Sequence, residues 1–229
     1  MEFLKRASVA IVCFIFFFVC CFFYSGNSEV QPVTTRPAPI TKVIIDAGHG
    51  GFDGGAVAND GTVEKDLNLK IALKLDAVLR MFGYKTVLTR NTDASLEDEN
   101  VSGSKKTSDM KKRLSITEQY PKAYFISIHL NKYQTSQPKG TQVFYGLASG
   151  SQNLAESIQS AVKNSIQPQN KRVIKKTTND IFLLCKSKIP SVIVECGFLS
   201  NPQELEQLKN EQYQLSLAFA IAEGIILNG

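Results

Sequence analysis

From residue 42 onward, short apolar runs alternate with longer stretches in which apolar residues return every three or four positions. The short runs fall near 43–46, 84–88, 123–128, 141–145, 181–185 and 191–195, and their length and β-branched content read as strands. Between the first two, Leu67, Ile71, Leu75, Val78 and Leu79 share one helical face, with Asp66 as the expected cap and Gly83 as the stop. Helical spacing returns over about 108–119, starting at Ser108 with Leu114 turned inward, and over about 151–166 through Leu154, Ile158, Ala161, Val162 and Ile166. Asn201-Pro202-Gln203-Glu204 has the form of an N-cap, a first-turn proline and a capping-box glutamate. A last helix at about 211–227 carries Leu215, Leu217, Ala218, Ile221, Ile225 and Ile226. Alternation of this kind predicts an α/β fold: a single domain with a mixed, mostly parallel sheet of about six strands and helices on both faces. The polar segment 91–107 is expected to be a mobile surface loop.

A different pattern precedes this domain. Residues 7–24 carry no charge and are dense in Phe, with Lys5 and Arg6 before them, so they read as an N-terminal transmembrane helix with its start on the inside. No small-x-small cleavage site precedes the bulky Phe22-Phe23-Tyr24, which favours an anchor over a cleaved signal peptide. The expected division is a membrane anchor or uncleaved signal at 1–28, a Pro- and Thr-rich spacer at 29–41, and the domain at 42–229. Either reading of the first segment puts the domain outside the cytoplasm, and the anchor reading also attaches it to the membrane.

The net charge of +5 is too small and too scattered to indicate nucleic acid, though it suits contact with an anionic wall or membrane surface. Only Cys185 and Cys196 belong to the domain, too few for a disulfide framework or a Cys-rich structural metal site. Both are expected to be buried thiols in strand-like sequence. Cys196 should point away from its neighbour Glu195.

The chain has two histidines, and both follow strand-like runs. His49 lies in the turn Asp46-Ala47-Gly48-His49-Gly50-Gly51, and His129 ends Tyr124-Phe125-Ile126-Ser127-Ile128-His129. Glu195 follows Ile193-Val194 in the same way, and Glu64 stands just before the first helix. Open α/β sheets bind ligands beyond the strand C-termini, so these residues are candidates for one site. Two His and one Glu make a common ligand set for hydrolytic zinc, with Glu195 left as acid/base. Taken singly, each residue has a plainer reading: a hydrogen-bonded histidine, or a glutamate at the positive end of a helix.

Together they resemble a known family. Val43-Ile44-Ile45-Asp46-Ala47-Gly48-His49-Gly50-Gly51 with Gly54-Gly55-Ala56, then Glu64-Lys65-Asp66, Thr89-Arg90, Ser127-Ile128-His129-Leu130-Asn131, and Val194 to Asn201 are similar, in order, to the motifs of zinc-dependent N-acetylmuramoyl-L-alanine amidases. The likeness spans about residues 42–228. It implies zinc held by His49, Glu64 and His129, Glu195 as catalytic acid/base, and peptidoglycan as substrate. Asn131 becomes a candidate substrate contact, and Arg90 a supporting residue. The anchor, the lack of a wall-binding module and the basic end of the 91–107 segment resemble the sporulation- and germination-specific branch. That branch removes stem peptides from spore cortex so that muramic-δ-lactam can form. It implies the envelope of a spore-former, in the forespore intermembrane space, and an accessory protein there. A vegetative cell-wall amidase and a non-catalytic peptidoglycan-binding or interaction module are the alternatives.

Overall fold

The computed structural model describes residues 42–97, 104–178 and 180–228. The expected anchor and spacer, and the middle of the polar segment, lie outside them. Among the described residues no helix is long and apolar enough to cross a membrane.

In chain order the elements are β1 (Lys42–Ala47), α1 (Glu64–Met81), β2 (Lys85–Leu88), α2 (Lys105–Glu118), β3 (Ala123–Asn131), β4 (Gln142–Tyr145), α3 (Ser151–Ser165), β5 (Lys175–Lys176), α4 (Phe182–Lys186), β6 (Ser191–Phe198), α5 (Pro202–Lys209) and α6 (Glu211–Asn228). The six strands form one sheet in the order β2-β1-β3-β6-β4-β5. The first four run parallel, β4 is antiparallel to β6, and β5 is parallel to β4. The sheet is therefore mixed and mostly parallel, as the alternation predicts.

Strand alternation divides the core. Val43, Ile45, Ile126, Ile128, Val143, Val192, Val194 and Cys196 face one way, against the apolar sides of α1, α3 and α6. Ile44, Ala123 and Phe125 face the other way and pack with Leu183 and Ile189, and with Met110 and Leu114 of α2. Parallel strands covered on both faces need continuous apolar runs, which is why β1, β3 and β6 stand out in the sequence.

Five expectations are corrected. Residues 181–185 are not a strand: Phe182–Lys186 makes a short helix, with Cys185 N–H donating to the Ile181 carbonyl. A short apolar run cannot distinguish these outcomes by periodicity. The sixth strand is instead Lys175–Lys176, too short to show a pattern. Helix α1 starts at Glu64 rather than after Asp66, because Glu64 and Lys65 donate their backbone N–H groups to the Ala56 and Gly54 carbonyls. The glycine turn thus does the work of a side-chain cap. Helix α2 starts at Lys105, so the end of the polar segment is helical. Finally, Asn201 caps α5 as expected, but the Glu204 carboxylate accepts from Gly140 and Phe198 N–H instead of closing a capping box. Cys185 and Cys196 are both free thiols; Cys196 is buried among apolar residues on the side of the sheet opposite Glu195, whereas Cys185 is only half-buried.

Candidate metal centre and active site

The first three parallel strands of chemical interest end together. His49 follows β1, His129 lies near the end of β3 directly beside Glu195 of β6, and Glu64 enters from the first turn of α1. One oxygen of Glu64 meets both rings: Oε1 is 3.2 Å from His49 Nε2 and 3.1 Å from His129 Nδ1. The ring centroids are 4.8 Å apart, edge to face. Three donor atoms, one per residue, lie within 4.8 Å of one another. A tetrahedral ion with bonds of about 2.1 Å separates its ligands by about 3.4 Å, so modest side-chain rotation brings this set into register around a metal ion.

The cluster is tight because its surroundings are small. A side chain on Gly48 would drive its Cβ into the His129 ring, and one on Gly55 would stand 2.6 Å from both Glu64 Oε2 and His49 Cδ2. His49 itself has φ of 61°, a left-handed conformation that a non-glycine residue seldom adopts. Such a residue needs its surroundings to hold it. Two arginines do so. Arg90 donates to the carbonyls of Ala47, Gly48 and Lys65, and Arg113 to those of Ala47 and His49. Arg90 is therefore a support, as its motif position suggested.

Arg113 was not legible as a functional residue. It reads as one more cation in the polar stretch before Leu114, yet it is fully buried. Its partners are Asp109 on its own helix and Asp46 at the end of β1. Asp46 also accepts from the hydroxyls of Thr89 and Ser127, so one carboxylate ties the ends of β1, β2 and β3 to α2. Burial alone would raise the Asp46 carboxyl, but Arg113 and the two hydroxyls outweigh it and hold it below the usual range.

Asp53 and Asn68 complete the setting. Asp53 lies 3.0 Å from His49 Nδ1, which leaves Nε2 facing Glu64. Carboxylates behind a ligand histidine orient it in this way and fix its tautomer. Asn68 Nδ2 and the Leu130 N–H both donate to Glu64 Oε1, while the Ala56 N–H donates to Oε2. Burial opposes the charge on Glu64, yet hydrogen bonds from His129 and His49 hold the carboxyl far below its ordinary value. For His49, burial lowers the ring and Glu64 and Asp53 more than reverse that. The available signal for Asp53 was an acid four residues past His49 in a glycine turn; none existed for Asn68.

Glu195 differs from the other acids. Its Oε2 is buried and has no hydrogen-bond partner among the described residues. Burial pushes its carboxyl up to about 6, Glu64 adds to the rise, and the two histidines oppose it. Most buried side-chain oxygens have a hydrogen-bond partner, so this one calls for an explanation. Asn131 closes β3, half-buried beyond a register shift, with its carbonyl accepting from Leu199 N–H.

Residues 43–227 match the N-acetylmuramoyl-L-alanine amidase family. The chain belongs to that family. It is 30% identical over 226 residues to the germination-specific N-acetylmuramoyl-L-alanine amidase of Bacillus subtilis, covering 97% of this chain and 94% of the relative. The solved CwlD amidase from Clostridioides difficile, in complex with the GerS lipoprotein, is 40% identical, with a TM-score of 0.78 over 82% of this chain and 98% of that one. The catalytic domain of CwlV from Bacillus (Paenibacillus) polymyxa is 30% identical with a TM-score of 0.68, covering 82% of this chain and 97% of that one. The amidase reading of the motifs and its resemblance to the spore branch agree with these relatives.

Proposed function

We propose that this amidase is zinc-dependent, cuts the amide between the lactyl group of muramic acid and the L-alanine of the stem peptide, and acts on spore-cortex peptidoglycan. One observation carries the catalytic part: the unpartnered, buried Oε2 of Glu195, on the strand position paired with His129 of the ligand set. His49 Nε2, Glu64 Oε1 and His129 Nδ1 are the proposed ligands. Zinc, when bound there, supplies positive charge that polarises the scissile carbonyl and makes water more acidic.

The rest falls to the protein's own groups. Glu195 accepts a proton from the attacking water and returns it to the departing alanine nitrogen. A carboxyl raised to about 6 suits both halves of that cycle near neutral pH. Asp53 keeps Nδ1 of His49 occupied, so that Nε2 points inward. Arg90 and Arg113 hold the strained turn that presents the ring. Asn131, two residues beyond His129 at the end of β3, is the proposed substrate contact.

The spore role is supported by the likeness to the Bacillus subtilis germination-specific enzyme and the CwlD amidase. By analogy with the complex in which CwlD is solved, an accessory protein at the spore envelope is proposed as a partner. We assign residues 1–28 as the anchor, 29–41 as spacer and 42–229 as the catalytic domain, working in the forespore intermembrane space.

The test is mass spectrometry of muropeptides after incubating the zinc-loaded chain, with and without accessory protein, with vegetative and cortex peptidoglycan. Free peptides beginning at L-alanine, absent with Glu195→Gln, are the expected products. Failure to release them from either wall by a zinc-bound protein would overturn the reading.

A further inference from the structure

Register places a second row of side chains beside the catalytic one. The sheet face that carries His129 and Glu195 continues across β6 to Gln142 of β4, which pairs with Glu195. One step back along the strands, Ile193 pairs with Phe144, and Phe144 with Lys175 of β5. In the β1–β3 half, the equivalent positions are Asp46 and Ser127, sealed under Arg113 of α2. In the β4–β5 half, Phe144 is half-buried, Lys175 is exposed and Val173 is 65% exposed. The same sheet face is thus closed on one side of Glu195 and open on the other.

The open half carries two cations mounted on aromatic rings. Arg172 Cζ lies 4.4 Å from the centroid of Phe198, and Lys175 Nζ lies 6.0 Å from that of Phe144. Arg172 is further fixed by its own donors: Nε to the Lys139 carbonyl at 2.7 Å and Nη1 to Gln142 Oε1 at 2.9 Å. Gln142 is held in turn by its Nε2 donating to the Val173 carbonyl. Among the described residues Nη2 of Arg172 has no acceptor, and neither cation makes an ion pair. The nearby Glu204 carboxylate is occupied by the Gly140 and Phe198 N–H groups. An arginine held in place in this way, with Nη2 left to donate, receives a carboxylate with little ordering cost. Lysines on an edge strand also discourage sheet-to-sheet pairing, which accounts for Lys176. That explanation does not reach Arg172, which is half-buried and anchored.

The direction of the substrate follows from proton delivery. The group that protonates the leaving nitrogen must touch it, so the leaving half lies against Glu195. The ligand set occupies the β3 side of Glu195, and the open platform occupies its β4 side. Neighbouring strands are about 4.8 Å apart, so β5 lies about 10 Å from β6. About three residues of extended peptide span that distance, at about 3.4 Å each. In the proposed reaction the leaving half is a peptide whose residues beyond L-alanine carry free carboxylates, whereas the sugar half is largely neutral.

We infer that the β4–β5 platform is the subsite for an acidic peptide, with Arg172 and Lys175 receiving carboxylates of the leaving stem peptide and Phe144 and Ile193 flooring it. The inference rests on the amidase reading and extends it from the bond cut to the half of the substrate that is recognised.

The experiment compares two soluble disaccharide-peptides with the zinc-loaded full chain, together with any accessory protein it requires. One carries the free stem-peptide carboxylates, and the other is the same molecule with those carboxylates converted to amides. The free acid should show a KM at least about tenfold lower, the loss expected when a hydrogen bond to a charged group is removed. Arg172→Gln combined with Lys175→Gln should raise the KM for the free acid by about tenfold, leave kcat within about twofold, and erase the preference between substrates. Arg172→Lys, which keeps charge without the fork, should fall between. If the double variant does not fold, Lys175→Gln alone changes an exposed side chain and should still raise KM by about threefold. Equal KM values for the two substrates in the wild type, or a preference that survives in the folded variants, would overturn the subsite. Cleavage of neither substrate by the wild type would instead bring down the amidase reading itself.

Discussion

Arg113 Nη1 lies 2.5 Å from Asp46 Oδ1 with both side chains out of solvent, and Nη2 of the same guanidinium donates to the His49 carbonyl at 2.7 Å. A buried ion pair is therefore bonded directly to the backbone of a candidate metal ligand. Its value lies less in net stability than in geometry, because desolvation consumes much of the attraction between buried charges. Breaking one side is a different matter. Arg113→Met leaves Asp46 buried without its cation and should cost about 3–5 kcal/mol, read by urea unfolding. Asp46→Asn combined with Arg113→Met should recover part of that loss but not metal affinity, since His49 would still lack its carbonyl donor. Equal metal affinity in the double variant and the wild type would show that the pair does not position His49.

Glu195 Oε2 has no hydrogen-bond partner among the described residues, which predicts a pH-dependent cost in stability at that position. Its carboxyl is raised from an ordinary 4.5 to about 6, so the favourable, protonated form holds below about 4.5 and is lost as pH climbs through 6. Above that, the fold carries a buried charge worth about 2 kcal/mol of destabilisation. In metal-free protein, Glu195→Gln should match the wild type near pH 4.5 and exceed its stability by up to about 2 kcal/mol at pH 7.5. The same substitution should abolish turnover. Unfolding curves at the two pH values check the first claim; a stability gap that does not change with pH would refute it.

Metal removal should destabilise the domain reversibly. With free metal at about a thousand times its dissociation constant, binding to the native state alone contributes about 4 kcal/mol. A chelator should lower the thermal midpoint accordingly, and zinc should restore it. His49→Ala should abolish this response. Asp53→Asn, which loses the charged acceptor at Nδ1 of His49, should keep the response but weaken metal affinity by about 10–100-fold. Competition with a chromophoric chelator measures both.

Two glycines test the packing of the centre. Gly48→Ala would drive a methyl into the His129 ring, and Gly55→Ala would press on both Glu64 and His49 at a φ of +68°. Each should lose metal binding and activity together. Gly83→Ala is the control: its φ is +81°, but an added Cβ meets nothing within 4 Å. It should cost about 1 kcal/mol in stability and leave metal affinity unaltered.

Much of the site could be read before any fold was known. His49, His129 and Glu195 each follow an apolar run, and a strand buried on both faces is apolar along most of its length, so polar residues just past it lie near the sheet edge. Glu64 was legible from the helix that follows. Asp46 and Arg113 were not, because nothing in one dimension shows that a charge at the end of β1 meets a charge in α2 across 67 positions. Phe182–Lys186 was misread for a related reason: a turn of helix and a short strand have the same composition.

The sequence by itself pointed to the α/β class, to the apolar runs that become β1, β3 and β6, and to His49, Glu64, His129 and Glu195 as candidates for one site. These follow from local regularities, since the periodicity of apolar positions records which faces are buried. Only the tertiary structure decided that Glu64 Oε1 would meet both histidines, that Arg90 and Arg113 would brace the left-handed His49, and that the sheet face of His129 and Glu195 would continue through Gln142 and Phe144 to Lys175. These depend on register and approach between distant segments, where a displacement of one residue would turn every side chain to the opposite face.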